Sequence, residues 1–241
     1  MRFLKFLALV LAVLCLSACG QNAAEPDEGM QRKIQKRCPE IQSQYVQLCE
    51  DAEKQMPDSR WEEPVLSHNS LDAIETRLQQ AGLNVIHDRG IYDYPSYTGS
   101  YTRSGQAIEQ YLRDYPSIQM VIDIHRDALG TDDVVYKTMA EEDGVCASQV
   151  MLLIGTDESG LEHPNWRQNL AVALYMQNAV NARHPTLMRP IALVQQRYNQ
   201  HLSPGSMILE VGSNGNTLQE ALAAIRLFGQ AAAPALAELV E

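Results

Sequence analysis

The sequence has little positive charge. Lysine and arginine together number 19 against 30 aspartate and glutamate residues, which gives a formal net charge of −11 at pH 7. Because no basic patch is evident, nucleic acid and anionic lipid are poor partners for this chain. No internal repeat is visible either. With 241 residues and 45% hydrophobic content, the chain can form one globular domain with a full core and a small appendage.

A long apolar run is also missing near the start of the chain. The run from Phe6 to Leu16 follows two basic residues and is too short to span a membrane comfortably. It leads into Leu16-Ser17-Ala18-Cys19, which is similar to a bacterial lipoprotein processing site. We therefore expect residues 1–18 to be a signal peptide and Cys19 to be acylated, with palmitate as a lipid. A plain secretory signal or a loose apolar anchor is the alternative. The expected location is the cell envelope, at a membrane that faces the periplasm or the cell wall.

Cysteine is scarce, at five residues. Cys38 and Cys49 lie close together in a chain that we expect to be exported, where a disulfide is chemically allowed. We therefore predict a disulfide between them. Cys146 then has no predicted disulfide partner. We expect it to be a small buried residue rather than a nucleophile.

Composition divides the rest of the chain into three parts. Residues 19–29 are polar, acidic and proline-containing, which is typical of a tether. Residues 30–62 are rich in Gln, Lys, Arg and Glu with weak helical periodicity, and predict a small helical appendage. Residues 63–241 alternate between predicted strands and predicted helices, which indicates one α/β domain with a mainly parallel sheet flanked by helices. The predicted strands are Pro64–Ser67, Asn84–His87, Met120–Ile124, Val134–Lys137, Ala147–Gly155, Ile191–Val194 and Ser206–Glu210.

Two of these strands end in polar side chains. His125, Arg126 and Asp127 follow the apolar run that begins at Met120, and Glu210 ends the last strand. Ligands collect at the carboxyl ends of strands in open α/β sheets. A neutral imidazole there can bind a metal, and the neighbouring charges can orient it or grip a substrate, a role we assign to Arg126. A histidine that only hydrogen-bonds to a neighbour is the plainer alternative.

Ten short segments in the same order resemble the stage II sporulation protein P family of cell-wall hydrolases. The resemblance covers roughly Gly82 to the C-terminus. The segments are Val85–Arg89, Tyr92–Tyr97, Ser100–Ser104, Pro116–Gln119, Asp123–Ala128, Ile154–Thr156, His163–Trp166, Tyr198–Gln200, Leu202–Gly205 and Leu209–Gly212, the last followed by Asn216-Thr217.

This resemblance implies a fold similar to that of the zinc-dependent N-acetylmuramoyl-L-alanine amidases, with peptidoglycan as substrate. Members of the family cut the bond between muramic acid and the stem peptide. On that pattern, His125 matches a zinc ligand and Glu210 matches the catalytic glutamate that activates water. Zinc with an open coordination position polarises a carbonyl and lowers the pKa of water, which is the chemistry that amide hydrolysis needs.

The chain departs from the family at the first motif. Family members carry His-Thr-His, followed shortly by Glu, at the end of the first strand, whereas this chain has only His68 there. His68 is therefore the expected second histidine ligand. The third ligand stays open between Asp72, Glu75 and His87, and His87 is also the fallback for the second.

Two other functions remain compatible with the sequence. The first is a degenerate family member that binds peptidoglycan, or a partner hydrolase, without cutting it. The second is a structural lipoprotein whose N-terminal appendage carries the function. Stoichiometric zinc distinguishes the enzyme from the degenerate binding module.

Overall fold

The computed structural model describes residues 8–13, 68–131, 134–142 and 144–239. Cys19, Cys38 and Cys49 lie outside the described residues, as do the predicted tether, the helical appendage and the strand predicted at Pro64–Ser67. These assignments therefore stay predictions.

The described residues form an α/β domain. Its strands are β1 (Ala8–Val13), β2 (Asn84–Asp88), β3 (Ile118–Asp127), β4 (Ala140–Glu142), β5 (Val145–Ala147), β6 (Val150–Gly155), β7 (Ala192–Val194) and β8 (Met207–Ser213). Its helices are α1 (His68–Gln80), α2 (Ser100–Asp114), α3 (Trp166–Arg183) and α4 (Leu218–Glu238), with a short 3₁₀ turn at Gln200–Leu202.

The main sheet has the strand order β2-β1-β3-β8-β6-β7. Neighbouring strands run parallel throughout, except that β6 is antiparallel to β8. Strands β4 and β5 form a separate two-stranded antiparallel hairpin. The predicted fold class, a mainly parallel sheet flanked by helices, is therefore confirmed.

Strand β1 comes from the segment expected to be a signal peptide. Its backbone pairs parallel with β2 on one side and with β3 on the other, so in the full chain this segment is part of the sheet. The assignment of residues 1–18 as a signal peptide stays a prediction. An apolar run suited to an export signal also suits a strand buried on both faces. A chain processed before Cys19 would lack this strand.

Apolar side chains cover both faces of the sheet, and the core to which each one belongs shows the face on which it lies. Ile122 and Ile124 belong to a large core with residues of α1, α3 and α4. Val121 packs instead with Ile108 of α2 in a smaller core. Because side chains alternate along a strand, Asp123 and His125 lie on the α2 face of the sheet.

Strand β8 follows the same alternation. Met207, Leu209 and Val211 belong to the large core, so Glu210 lies between them on the α2 face. Within the described residues, no helix is both long and apolar enough to cross a membrane.

The capping predictions have mixed outcomes. The sequence Thr217-Leu-Gln-Glu220 has the pattern of a capping box and predicts one at the start of α4. The structure confirms it, because the Thr217 side chain accepts a hydrogen bond from the Glu220 amide and the Glu220 carboxylate accepts one from the Thr217 amide. Asn165 precedes Trp166 in the sequence as a candidate helix cap, and it does occupy the N-cap position of α3, but its side chain makes no cap hydrogen bond. Its amide nitrogen donates instead to the His201 carbonyl at 2.9 Å.

One predicted strand is also absent. Val134 and Val135 do not lie in a strand, and the segment has only an isolated bridge between Gly130 and Val135. Both valine side chains are about half exposed. A β-branched run forms a strand only where a partner strand is within reach.

Candidate active site at the carboxyl ends of two parallel strands

His125 and Glu210 are neighbours on the α2 face of the sheet. They are paired directly across β3 and β8, and their residues are only 2% and 8% exposed. The imidazole Nε2 of His125 lies 3.0 Å from Oδ1 of Asp123, two positions earlier on the same strand. The sheet therefore brings one imidazole and two carboxylates together in a buried place.

These three side chains are incompletely hydrogen-bonded. His125 Nε2 and Asp123 Oδ1 face each other at 3.0 Å as an ion pair, and neither atom has a further hydrogen-bond partner among the described residues. The Glu210 Oε2 atom is likewise buried without a hydrogen-bond partner in the described part of the chain. Buried polar atoms in this state are rare and call for an explanation such as an ion or water.

The cluster also shifts the pKa values of its members. Burial alone would lower the pKa of His125, but the negative charges of Asp123 and Glu210 outweigh burial and raise this pKa to about 9. Burial raises the pKa of the Glu210 carboxyl to about 7, opposed chiefly by the positive charge of His125. A carboxyl with a pKa near neutrality can both accept and donate a proton, as a general acid–base catalyst must.

Two tyrosines form an aromatic wall beside His125. The Tyr101 ring on α2 stacks near the His125 ring, with centroids 6.4 Å apart, and contacts the Tyr198 ring at 5.2 Å. Tyr198 and Asn199 both have left-handed backbone conformations, with φ angles of 46° and 63°. Such strain in residues other than glycine is uncommon and concentrates at functional sites.

Hydrogen bonds between Asn199 and residues of α2 hold the turn of Tyr198 and Asn199 in place. The Asn199 side-chain amide donates to the Tyr101 carbonyl at 2.7 Å and to the Ser104 hydroxyl at 3.2 Å. Burial raises the pKa of both Tyr101 and Tyr198, with the Glu210 charge among the further causes. Both phenols therefore stay protonated at neutral pH and can donate hydrogen bonds.

An exposed tyrosine loop precedes α2. Tyr94 and Tyr97 are 76% and 55% exposed. The backbone of the loop is nevertheless held firmly, because the Arg103 guanidinium donates to the carbonyls of Tyr92, Ser96 and Thr98.

The structure gives Arg126 partners within the protein. Its guanidinium donates to the carbonyls of Ser213, at 2.6 Å, and Asn216. By strand alternation it points to the face opposite His125. A substrate contact for Arg126 stays a prediction. The Arg189 guanidinium lies 2.7 Å from Asp127, and its positive charge partly opposes the rise that burial causes in the pKa of Glu210.

The side chains at the carboxyl ends of β3 and β8 are of the types that can hold a zinc ion. An imidazole and carboxylates are among the ligands that zinc takes in proteins, and a cation would satisfy the buried atoms of Asp123, His125 and Glu210 that lack hydrogen bonds. A three-ligand site needs one further donor beside these if Glu210 is kept for proton transfer. His68 is the first residue of α1, and its side chain is outside the described part of the structure, so its role stays a prediction.

The open candidates for the third ligand lie elsewhere. Asp72, Glu75 and His87 come together with one another, on α1 and β2. Because Val85 packs in the large core and Ile86 in the small one, strand alternation puts His87 on the α1 face, opposite His125. His87 is also separated from β3 by the intervening strand β1. These three residues therefore cannot share a metal with His125.

Three residues of the site, Asp123, Tyr101 and Tyr198, received no role in the sequence analysis, although each lies in a segment that resembles the family. Asp123 could also have been found because residues two apart on a strand share a face. The contact between Tyr198 and Tyr101 depends on a left-handed turn that the side-chain pattern does not predict.

Comparison with known proteins places the chain in a family. Residues 71–233 match Stage II sporulation protein P (SpoIIP). The chain is 25% identical over 152 residues to the Stage II sporulation protein P of Bacillus subtilis (strain 168), a match that covers 61% of this chain and 33% of that protein. The match thus spans about a third of the length of this relative.

A solved amidase structure shares the fold at low sequence identity. The apo form of the N-acetylmuramyl-L-alanine amidase Ami1 from Mycobacterium abscessus has a TM-score of 0.54 and 12% identity, covering 98% of this chain and 99% of that chain. The CwlD amidase from Clostridioides difficile, solved in complex with the GerS lipoprotein, has a TM-score of 0.47 and 13% identity, covering 92% of this chain and 96% of that chain. The match to the family model extends over more than half of the residues, and the chain belongs to the Stage II sporulation protein P family.

Proposed function

We propose that this protein is a zinc-dependent peptidoglycan hydrolase that cleaves the amide between N-acetylmuramic acid and the stem peptide. The observation that carries this proposal is the buried pairing of His125 with Glu210 across β3 and β8. Membership of the family and the fold shared with an N-acetylmuramyl-L-alanine amidase support the same reaction class.

The roles of the residues follow from their donors. His125 and His68 would hold the zinc, with Asp123 beside His125 to orient or join it. When bound, zinc supplies Lewis acidity toward the amide carbonyl and toward water. Glu210 accepts a proton from the attacking water and returns it to the leaving nitrogen, so that the carbon–nitrogen bond breaks to give a carboxylate and an amine.

The aromatic wall gives the substrate a surface beside these groups. Tyr101 stacks next to His125, and Tyr198 contacts Tyr101. The exposed ring of Tyr97 lies on the loop that leads into α2. Tyrosine rings pack against apolar faces while their hydroxyls stay available for hydrogen bonds. Such a surface suits the uncharged sugar rings of a glycan strand.

Digestion of purified sacculi tests the reaction directly. Zinc-loaded protein should release stem peptides that mass spectrometry identifies by a free amino terminus on the first residue, and zinc should be present at one ion per chain or more. Zinc-loaded protein that releases no such peptides, under conditions in which a control amidase does, refutes the enzyme.

A binding module without catalysis is the second candidate. It is favoured by the missing His-Thr-His motif, since the described residues of the site contribute only His125 as an imidazole donor. Such a module would bind sacculi, or a partner hydrolase, without releasing stem peptides. Binding that persists in protein stripped of zinc would support it.

The proposed place of action is the cell envelope, at a membrane that faces the periplasm or the cell wall, reached through a lipid on Cys19. The motif that ends at Cys19 supports acylation. Peptidoglycan would then lie within reach of a domain held by the short tether of residues 19–29.

A further inference from the structure

A second group of metal-binding side chains lies on the other face of the sheet. We call it the α1–β2 cluster, and it consists of Asp72 and Glu75 on α1 and His87 on β2. The Nδ1 atom of His87 lies 3.2 Å from Glu75 Oε2 and 3.5 Å from Asp72 Oδ1. One ligand atom from each of the three residues lies within 4.8 Å of the others.

The elements hold these donors in place before any ligand arrives. Asp72 and Glu75 are three residues apart, so they share one face of α1. The His87 side chain is only 3% exposed, which restricts its ring. The Gln79 amide donates to the other Glu75 oxygen at 3.0 Å, and thereby directs Oε2 toward His87. Supporting hydrogen bonds of this kind orient the ligands of metal sites.

The distances match those between the ligands of a tetrahedral metal ion. Zinc bonds to imidazole nitrogen and carboxylate oxygen are about 2.0–2.1 Å long, so neighbouring ligand atoms lie about 3.4 Å apart. The distances from His87 Nδ1 to the two carboxylates, 3.2 and 3.5 Å, lie on either side of this value. We propose that the α1–β2 cluster is a second divalent-metal site, for zinc or a similar transition metal, which clamps α1 to β2.

This site is independent of the one at His125. His87 and His125 point to opposite faces of the sheet, and strand β1 lies between β2 and β3. The registers align His87 with Leu11 and Leu11 with Ile122, three residues before His125. Two strand spacings and three residues amount to about 14 Å between the two histidines. One metal ion therefore cannot serve both groups.

Arg89 is the cation that now neutralises part of the cluster. Its guanidinium lies 2.5 Å from Asp72 Oδ1, the same oxygen that faces His87. The Arg89 side chain is half exposed, so it can swing into solvent when a metal enters. The metal and Arg89 therefore compete for Asp72, and removal of Arg89 should strengthen metal binding.

Zinc binding by the metal-stripped full chain tests the proposal. The variant His125→Ala removes the imidazole of the other site, and this background should still bind one zinc per chain in equilibrium dialysis. Adding Asp72→Asn and Glu75→Gln should weaken zinc binding by more than about tenfold, since two of three ligands lose their charge. Adding Arg89→Gln instead should strengthen it by about tenfold.

Matched controls separate metal binding from changes in overall charge. Glu109→Gln with Asp114→Asn removes two carboxylates from α2 and should leave zinc binding unchanged. Cobalt in place of zinc should give visible absorption bands of a tetrahedral site that vanish with His87→Gln. The proposal is overturned if the His125→Ala protein binds no zinc, or if the Asp72→Asn and Glu75→Gln changes leave its affinity intact. In either case the cluster is an ion-pair contact between α1 and β2, and the proposed hydrolase at His125 is unaffected.

Discussion

His125 and Glu210 are paired directly across two neighbouring parallel strands, β3 and β8. Their separation is therefore set by the backbone ladder of the sheet, in which neighbouring strands lie about 4.8 Å apart. Both side chains are buried, so their mutual electrostatic effect is stronger than it would be in water. A loop could not hold two reacting groups as firmly, and the sheet thus gives the proposed catalyst its geometry.

Replacing Glu210 by Gln should abolish most of the activity and keep the fold. The amide cannot accept the proton from water, so release of stem peptides from sacculi should fall by about a hundredfold or more. Zinc content and binding to sacculi should stay at the level of the unmodified protein. The control Glu109→Gln, on the exposed side of α2, should retain full activity. A Glu210→Gln variant with normal activity would remove Glu210 from the mechanism.

The metal-free protein should lose stability as the pH rises. The pKa of Glu210 is raised from 4.5 to about 7 and that of His125 from 6.5 to about 9. A group whose pKa is raised in the folded state stabilises the fold below its ordinary pKa, and this contribution disappears as the pH passes the raised value. The free energy of unfolding should therefore fall between about pH 5 and pH 9, by a few kcal/mol.

Urea unfolding of zinc-stripped protein at a series of pH values measures this dependence. In the Glu210→Gln variant, the part of the decline between about pH 5 and pH 7 should be much smaller, since the titrating carboxyl is gone. A free energy of unfolding that instead rises from pH 5 to pH 8 would show that the folded protein does not favour the protonated forms of His125 and Glu210.

Tyr97 should contribute to binding of the cell wall. Its ring is 55% exposed, so Tyr97→Ala should change the free energy of unfolding by less than about 0.5 kcal/mol. Loss of the ring should weaken binding to purified sacculi about fivefold, whereas Tyr97→Phe keeps the ring and most of the affinity. The control is Tyr115→Ala, where an equally exposed ring lies beyond the far end of α2. Equal effects of the two alanine variants would argue against a specific surface.

Replacing Cys19 by Ala should release the protein from the membrane. Each buried methylene of an acyl chain contributes about 0.8 kcal/mol to membrane binding, so the variant should move from the detergent phase to the aqueous phase in a phase-separation assay. A variant that is processed normally and still partitions into detergent would contradict the lipid anchor.

Processing before Cys19 should cause another segment to pair with β2 and β3. Without β1, both strands would expose unpaired backbone groups in the middle of the sheet, which is costly. The segment Pro64–Ser67 directly precedes α1 and is predicted as a strand, so we expect it to take this position. Amide hydrogen exchange of Ile86 and Ile122 should then be equally slow in the full and the processed chain. Fast exchange at both residues in the processed chain would rule out such a replacement.

Much of the fold could be predicted from the sequence because its signals are local. The apolar runs at Met120–Ile124 and Ser206–Glu210 identify two central strands, since a strand buried on both faces needs a continuous run of apolar side chains. The capping box at Thr217 is equally local, because its hydrogen bonds join residues three apart. The same runs end in His125 and Glu210, so the sequence also indicates where the polar groups of the site collect.

Only the tertiary structure decided which of these groups meet. Asp72, Glu75 and His87 are the open candidates in the sequence for the third ligand of a metal at His125, yet they lie on the opposite face of the sheet. That outcome depends on strand order and on which face each helix covers, and both are long-range properties of packing. The position of Ala8–Val13 between β2 and β3 likewise depends on long-range strand pairing. The apolar composition of this segment suits an export signal and a strand equally, so the sequence alone does not predict its pairing with β2 and β3.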